Sequence, residues 1–226
     1  MSLNILAVAD QVSPVLYDRF DIERWRNIDI VLSCGDLPPD YLDFLCTMLS
    51  VPVLYVRGNH DAVYDDERYD GFENVHGRIV EHNGVRIAGF EGSHWYNGGR
   101  YQYSDGQMRR IVARTRLKGL RTGPPDIILA HAPPLGCHDG DDVCHRGFAA
   151  FRTAIEDWKP QLFLHGHMHA YDRRQDEASI DETRVINPYP FKLIELPEKA
   201  AAPEVSPARV SAAPRLASTR TSPTNS

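Results

Sequence analysis

The chain has 226 residues, 42% of them hydrophobic and 25% charged, with a formal net charge of −6. That apolar content supports a buried core of one domain, or two at most, and the acidic balance argues against duplex nucleic acid, whose phosphates call for Lys and Arg. The longest apolar runs are strand-sized, short of the about 20 residues a membrane helix needs. No basic leader with a cleavage site opens the chain, and four cysteines do not make a disulfide scaffold at this length, so the expectation is a cytoplasmic protein without a membrane partner.

Short runs rich in Val, Ile and Leu recur along the chain, as strands buried on both faces require. Asn4–Ala9 ends at Asp10. Ser13-Pro14 reads as a cap with proline at the first helical position, opening a helix over Val15–Arg24. Ile28–Cys34 ends at Gly35-Asp36, and Pro39–Leu49 is the next helix. Val53–Val56 ends at Arg57-Gly58-Asn59-His60-Asp61. Arg78–Glu81 and Val85–Phe90 flank Asn83-Gly84, a strong hairpin turn. Ser104 with Gln107 forms a capping box for a helix reaching about Lys118. Ile127–Ala130 ends at His131, Phe148–Trp158 is helical, and Leu162–His165 ends at Gly166-His167-Met168-His169. Strands are expected at Ser179–Ile180, Arg184–Ile186 and Phe191–Leu196. After Leu196 the composition turns to Ala, Pro, Ser, Thr and Arg, with two acidic and four basic residues. Such a segment buries too little to offset chain entropy, so residues 197–226 read as a disordered tail behind a domain of residues 1–196.

The pattern is α/β, with polar residues gathered at the carboxyl ends of five strands, where open α/β sheets place their ligand crevice. Asp10, Asp36, Asn59, His60, His131, His167 and His169 offer carboxylate, amide oxygen and imidazole, a donor set suited to Mn, Fe or Zn. No cysteine belongs to the set, which argues against a structural thiolate zinc site. Glycine before Asp36, Asn59 and His167 lets the backbone turn sharply or approach closely.

Taken in order, Asp10, Gly35-Asp36, Gly58-Asn59-His60-Asp61, His131 and Gly166-His167-Met168-His169 resemble the motifs of the calcineurin-like metallophosphoesterases, over roughly residues 3–195. The loop after His131, with Ala132-Pro133-Pro134-Leu135-Gly136, Asp139-Gly140 and His145-Arg146-Gly147-Phe148, resembles that of the small bacterial metallophosphodiesterase branch of the superfamily. The resemblance implies a two-sheet β-sandwich flanked by helices, a four-layer α/β/β/α fold. It implies two adjacent divalent metal positions bridged by Asp36, one completed by Asn59, His131 and His167, the other by Asp10 and His169. It implies hydrolysis of a small-molecule phosphoester, with His60 stabilising the phosphoryl group or protonating the leaving alkoxide and Asp61 orienting His60.

One position departs from the pattern. The family's Asp-x-His becomes Asp10-Gln11-Val12, and valine cannot coordinate. The ion beside Asp10 is therefore expected to bind weakly, with solvent or Gln11 in place of the imidazole.

Beyond the metals, Arg146 suits bidentate phosphate binding, and His145 lies near a helix start that favours anions. The loop from Gly92 to Arg100, with His94, is placed to cover a base or sugar. His165 is expected to point into the fold, and His76 and His82 outward. Cys137-His138 and Cys144-His145 lack the spacing of a zinc motif and read as plain loop. A metal-binding interaction module without turnover and a nuclease are the competing functions; the negative charge disfavours the second.

Overall fold

The computed structural model describes residues 2–65, 71–120, 122–169 and 176–197. The tail assigned to 197–226 lies, apart from Pro197, outside the described residues.

The elements in chain order are β1 (Leu3–Val8), α1 (Ile22–Trp25), β2 (Ile30–Ser33), α2 (Pro39–Leu49), β3 (Val53–Tyr55), β4 (Glu73–Asn74), β5 (Ile79–His82), β6 (Val85–Phe90), β7 (Ser93–His94), β8 (Gln102–Tyr103), α3 (Asp105–Gly119), β9 (Ile127–Ala130), α4 (Ala149–Trp158), β10 (Leu162–Leu164), β11 (Glu177–Ile180), β12 (Thr183–Ile186) and β13 (Phe191–Leu196). Two mixed sheets form, ordered β13-β1-β2-β3-β4 and β11-β12-β10-β9-β6-β5. Within the first, β1 to β4 run parallel and β13 antiparallel. Within the second, β6, β9, β10 and β12 run parallel and the outer strands antiparallel.

Strand alternation sorts the apolar residues into three layers. Ile5, Ala7, Ile30 and Leu32 of the first sheet meet Ile87, Ile127, Leu129, Leu162 and Leu164 of the second in one buried cluster between the sheets. The opposite faces of the same strands are covered by helices. Leu6, Val8 and Val31 pack on Trp25, Leu42 and Leu45. Ala88, Phe90, Ile128 and Phe163 pack on Phe151, Ile155 and Trp158. The sandwich with helices on both outer faces is the architecture that the family resemblance implies.

The helix boundaries follow their caps. Ser104 accepts from the Gln107 N–H at 3.3 Å and the Gln107 amide oxygen accepts from the Ser104 N–H at 2.8 Å, closing the box that opens α3. The helix expected over Val15–Arg24 does not form. Turns closed by Leu16 N–H to Ser13 C=O (3.0 Å) and Arg19 N–H to Pro14 C=O (2.9 Å) replace it. A helix begins only at Ile22, where the Asp21 carboxylate accepts from the Glu23 N–H at 3.1 Å. Val15, Tyr17 and Phe20 are poor helix formers, and packing decides their conformation: Val15 and Phe20 lie against the outer cluster, and Tyr17 edges onto Phe44 at 4.8 Å.

Candidate metal centre

All the parallel strands end toward one rim, and the loops that follow β1, β2, β3, β9 and β10 are tied together by their backbones. The Asp10 N–H donates to the Gly35 carbonyl at 3.1 Å, and the Gly166 N–H to the His131 carbonyl at 2.9 Å. Across the two sheets, the Gly92 N–H donates to the Arg57 carbonyl at 2.8 Å. Asp61 clamps the β2 and β3 loops: its Oδ2 accepts from the Asp36 N–H at 2.8 Å and the Gly58 N–H at 2.7 Å. This gives Asp61 a backbone role as a clamp between the two loops. The turns are tight enough that Asp10, Asp36 and His167 all take positive φ (63°, 55° and 66°), a conformation that non-glycine residues hold only where the surroundings enforce it.

Three side chains meet at the centre. His131, fully buried, places Nδ1 2.8 Å from the Cys34 carbonyl oxygen. A carbonyl only accepts, so Nδ1 carries the proton and Nε2 of the neutral ring is a lone pair. That nitrogen faces Asn59 Oδ1 at 3.1 Å and Asp36 Oδ2 at 3.4 Å. The Asn59 amide nitrogen is committed to the Tyr96 hydroxyl at 3.2 Å, which fixes the oxygen toward His131. Three acceptors thus converge, and only a proton on Nε2 or a cation between them reconciles the contact. Donors each about 2.0–2.2 Å from one ion lie roughly 3–3.4 Å apart, so the spacing fits a divalent metal. Asp36, His131 and His167 also form a group whose donor atoms lie within 4.8 Å of one another. The rings of His131 and His167 are 4.9 Å apart, edge to face.

The electrostatics of the protein groups follow from this crowding. Burial opposes charge on Asp36, but the adjacent His131 outweighs it and holds the carboxyl at about 2. Burial likewise lowers His131, and Asp36 overrides that and raises it to about 9. Burial lifts the Asp10 carboxyl to about 7, with His131 opposing and Asp36 adding to the rise. His167 falls to about 3 through burial and its neighbour His131. One buried cluster thus holds carboxylates and imidazoles whose charges depend on one another, the environment expected where protons and cations exchange.

The remaining residues singled out by sequence are distributed around this core. Both Asp10 oxygens accept from the His167 N–H, at 2.9 and 3.0 Å, which joins the β1 and β10 loops. His60 is exposed, and its N–H donates to Asp36 Oδ1 at 2.9 Å, which fixes its backbone beside the cluster. His169 is exposed and stacks on Tyr189 at 5.3 Å, outside the groups of mutually close donors found among the described residues. Gln11, considered as a substitute ligand, accepts from the Tyr189 hydroxyl at 2.6 Å, and Val12 packs against the apolar cluster under α2. Arg146 is exposed without an ion pair among the described residues. His145 lies at the rim, its ring 5.2 Å from that of His167.

His94 differs from expectation. It is buried, stacks on Phe148 at 4.2 Å and bonds to the Gly147 carbonyl at 3.2 Å, bracing the 137–147 loop from beneath instead of facing a ligand. Its strand β7 pairs with β8, and both residues of that strand are buried. His165 is buried as expected. His76, expected outside, is largely enclosed: its Nδ1 accepts from the Glu91 N–H at 3.0 Å. Two further residues reach the centre unannounced, Tyr96 through Asn59 and Cys144, whose carbonyl accepts from His167 Nε2 at 2.7 Å. Tyr96 belongs to the polar-aromatic loop that the sequence marks only as a whole; nothing in the spacing of Cys144 signals its contact with a residue 23 positions away.

The calcineurin-like phosphoesterase family matches residues 11–171, well over half of the chain, and the chain belongs to that family. No curated protein matches it. Among solved structures it is similar to the protein TT1561 of Thermus thermophilus, at 19% identity over 83% of this chain and 89% of that one, with a TM-score of 0.59. It also matches a structure described as a novel archaeal phosphodiesterase, at 14% identity over 86% of this chain and 100% of that one, with a TM-score of 0.41. That family uses divalent metals, and the described residues hold two groups of mutually close side chains that could hold a metal ion. No helix among the described residues is long and apolar enough to cross a membrane.

Proposed function

We propose that this chain is a metal-dependent hydrolase of small-molecule phosphoesters, with Asp36, Asn59, His131 and His167 holding one divalent ion and Asp10 beside them contributing to a second, weaker one. The observation that carries the reading is the convergence of His131 Nε2, Asn59 Oδ1 and Asp36 Oδ2, at 3.1 and 3.4 Å from the nitrogen, a spacing that suits one divalent ion in place of the Nε2 proton. Bound ions of the Mn, Fe or Zn type supply Lewis acidity to a phosphoryl oxygen and acidify an attacking water.

The chain's own residues supply the rest. Asp61 holds the Gly58 and Asp36 peptides in one arrangement, so the donor groups are set before substrate arrives. The Cys34 carbonyl fixes the His131 tautomer, keeping Nε2 as the ligand atom. His60, anchored by its N–H to Asp36 and otherwise exposed, has the reach to stabilise the phosphoryl group or to protonate the leaving alkoxide. Arg146, exposed on the loop that also carries His145, has the bidentate guanidinium suited to a second phosphate oxygen, and in this reading takes it.

Chromogenic phosphate diesters and monoesters, assayed with added Mn²⁺ and after chelation, test this directly. Turnover that appears with metal and disappears with chelator is expected. Absence of turnover under Mn²⁺, Fe²⁺ and Zn²⁺ alike, with metal still bound, would overturn it in favour of a binding module, the reading to which Val12 at the family's histidine position points.

A further inference from the structure

The loop between β9 and α4 brings a second set of soft ligands onto His167. Cys144 Sγ lies 3.9 Å from His167 Nε2, and Cys144, His145 and His167 form a group with one donor atom each, all within 4.8 Å of one another. The turn that presents them is built: Asp142 Oδ1 accepts from the N–H groups of both Cys144 (3.0 Å) and His145 (3.1 Å). Asp142 Oδ2 lies 2.8 Å from His145 Nδ1. A carboxylate that takes the Nδ1 proton orients an imidazole and leaves Nε2 as its lone pair, the outer-shell arrangement usual for metal-ligating histidines. All three side chains are partly or wholly screened from solvent.

From this geometry we infer that Cys144, His145 and His167 form a thiolate–imidazole site for a soft divalent ion of the Zn²⁺ class, and that this site competes with the Asp36–His131 set for His167. The donor types select the ion. One thiolate and two imidazoles suit Zn²⁺ or Co²⁺, while Mn²⁺ prefers oxygen. Binding releases the Cys144 thiol proton to solvent.

Competition follows from the chemistry of one ring. A neutral imidazole carries one proton and one lone pair. With Nε2–H donating to the Cys144 carbonyl at 2.7 Å, the lone pair of His167 is on Nδ1. A cation taken at Nε2 breaks that hydrogen bond and moves the proton to Nδ1. His167 then has nothing left to offer the other group. A Zn²⁺-class ion on the loop therefore withdraws one ligand from the centre.

The ligand assignment stands apart from the phosphoesterase reading; only the competition rests on it. The full chain, reduced and stripped of metal, is titrated with Co²⁺ as a spectroscopic probe. The wild type and Cys137→Ser are expected to show thiolate-to-cobalt absorption in the near ultraviolet, and Cys144→Ser to lack it. Independently of any variant, Zn²⁺ at one equivalent is expected to protect Cys144 of the wild type from iodoacetamide at least tenfold more than Cys137, with Mn²⁺ giving no such protection. A band that persists in Cys144→Ser, a wild type without a band, or equal protection of the two cysteines overturns the assignment. If the band and the protection are found but no ester is hydrolysed with any ion, the phosphoesterase reading falls and this one stands.

Discussion

Gly58 lies so close to Asp36 that a Cβ at that position would sit 2.0 Å from the Asp36 Oδ1 and 2.6 Å from His131 Cε1. The β3 loop approaches the β2 loop without a side chain between them, and that closeness lets two carboxylates, an amide and an imidazole share one small volume. Gly58→Ala is expected to displace Asp36 and His131 together. Overpacking of this kind costs about 1–3 kcal/mol, so urea denaturation should show a modest loss, while Mn²⁺ titration should show metal binding reduced far more than stability.

Asp61 offers a sharper test of how the loops are held. Its Oδ2 accepts from two backbone N–H groups, those of Asp36 and Gly58. Asp61→Ala leaves both donors without this partner at a buried site, a loss of about 1–3 kcal/mol for each group. Asp61→Asn keeps an acceptor oxygen in place and should recover most of that. A thermal melt that falls for alanine and recovers for asparagine marks a backbone clamp; equal loss in both variants would point to the carboxylate charge instead.

His60 separates chemistry from metal binding. Its N–H bonds Asp36, but alanine supplies the same N–H, so His60→Ala preserves the loop. Turnover is expected to fall by about 10²–10⁴-fold, the usual worth of a positioned acid or base, with metal content by elemental analysis unchanged. Undiminished turnover would remove His60 from the reaction.

Much of this arrangement is written in the sequence, and the reasons differ by element. Buried parallel strands must be apolar on both faces, so β1, β2, β3, β9 and β10 stand out as Val/Ile/Leu runs, and the polar residue at the end of each marks the rim. The glycines at 35, 58 and 166 are legible for the same reason they are needed: at 166, too, a Cβ would crowd Asp10 Oδ2, at 2.8 Å. What the sequence does not disclose are contacts set by loop conformation. The burial of His94 rests on its stacking against Phe148 and its bond to the Gly147 carbonyl, contacts across more than 50 residues, on a two-residue strand with no periodicity to detect. Cys144 meets His167 because Asp142 folds the loop over the rim, and no local pattern encodes that meeting. The missing helix after Pro14 shows the same principle, a cap motif overruled by tertiary packing of Val15, Tyr17 and Phe20.

The charge coupling between Asp36 and His131 sets a pH dependence for metal uptake. Burial alone would lower His131, yet Asp36 raises it to about 9, so near neutral pH Nε2 is protonated in the chain without an ion. A cation must displace that proton. Lowering the pH favours the protonated ring and weakens binding; raising it toward 9 strengthens binding until the proton is lost unaided. Below about pH 9 the Mn²⁺ affinity is expected to drop by about tenfold per pH unit for this one proton. Calorimetry in buffers of different ionisation heat should register its release, and an affinity flat between about pH 6 and 8 would show that Nε2 carries no proton to displace there.

Val12 leads to the last expectation, the number of ions. Its side chain packs into the apolar cluster beneath α2, and Gln11 beside it is held by Tyr189 at 2.6 Å, so neither is turned to the rim as a donor. Asp10 is left with both oxygens on the His167 N–H and a carboxyl raised by burial to about 7, a poor anion for a second cation at neutral pH. Losing even an outer partner of a metal ligand weakens binding by about 10–100-fold, and losing an imidazole outright should weaken it at least as much. Mn²⁺ titrated into the stripped protein is therefore expected to fill one site per chain, with a second at least about tenfold weaker and strengthening above about pH 7 as Asp10 ionises. Two sites of equal affinity across that range would mean that the rim replaces the absent histidine with a ligand the side-chain geometry does not offer.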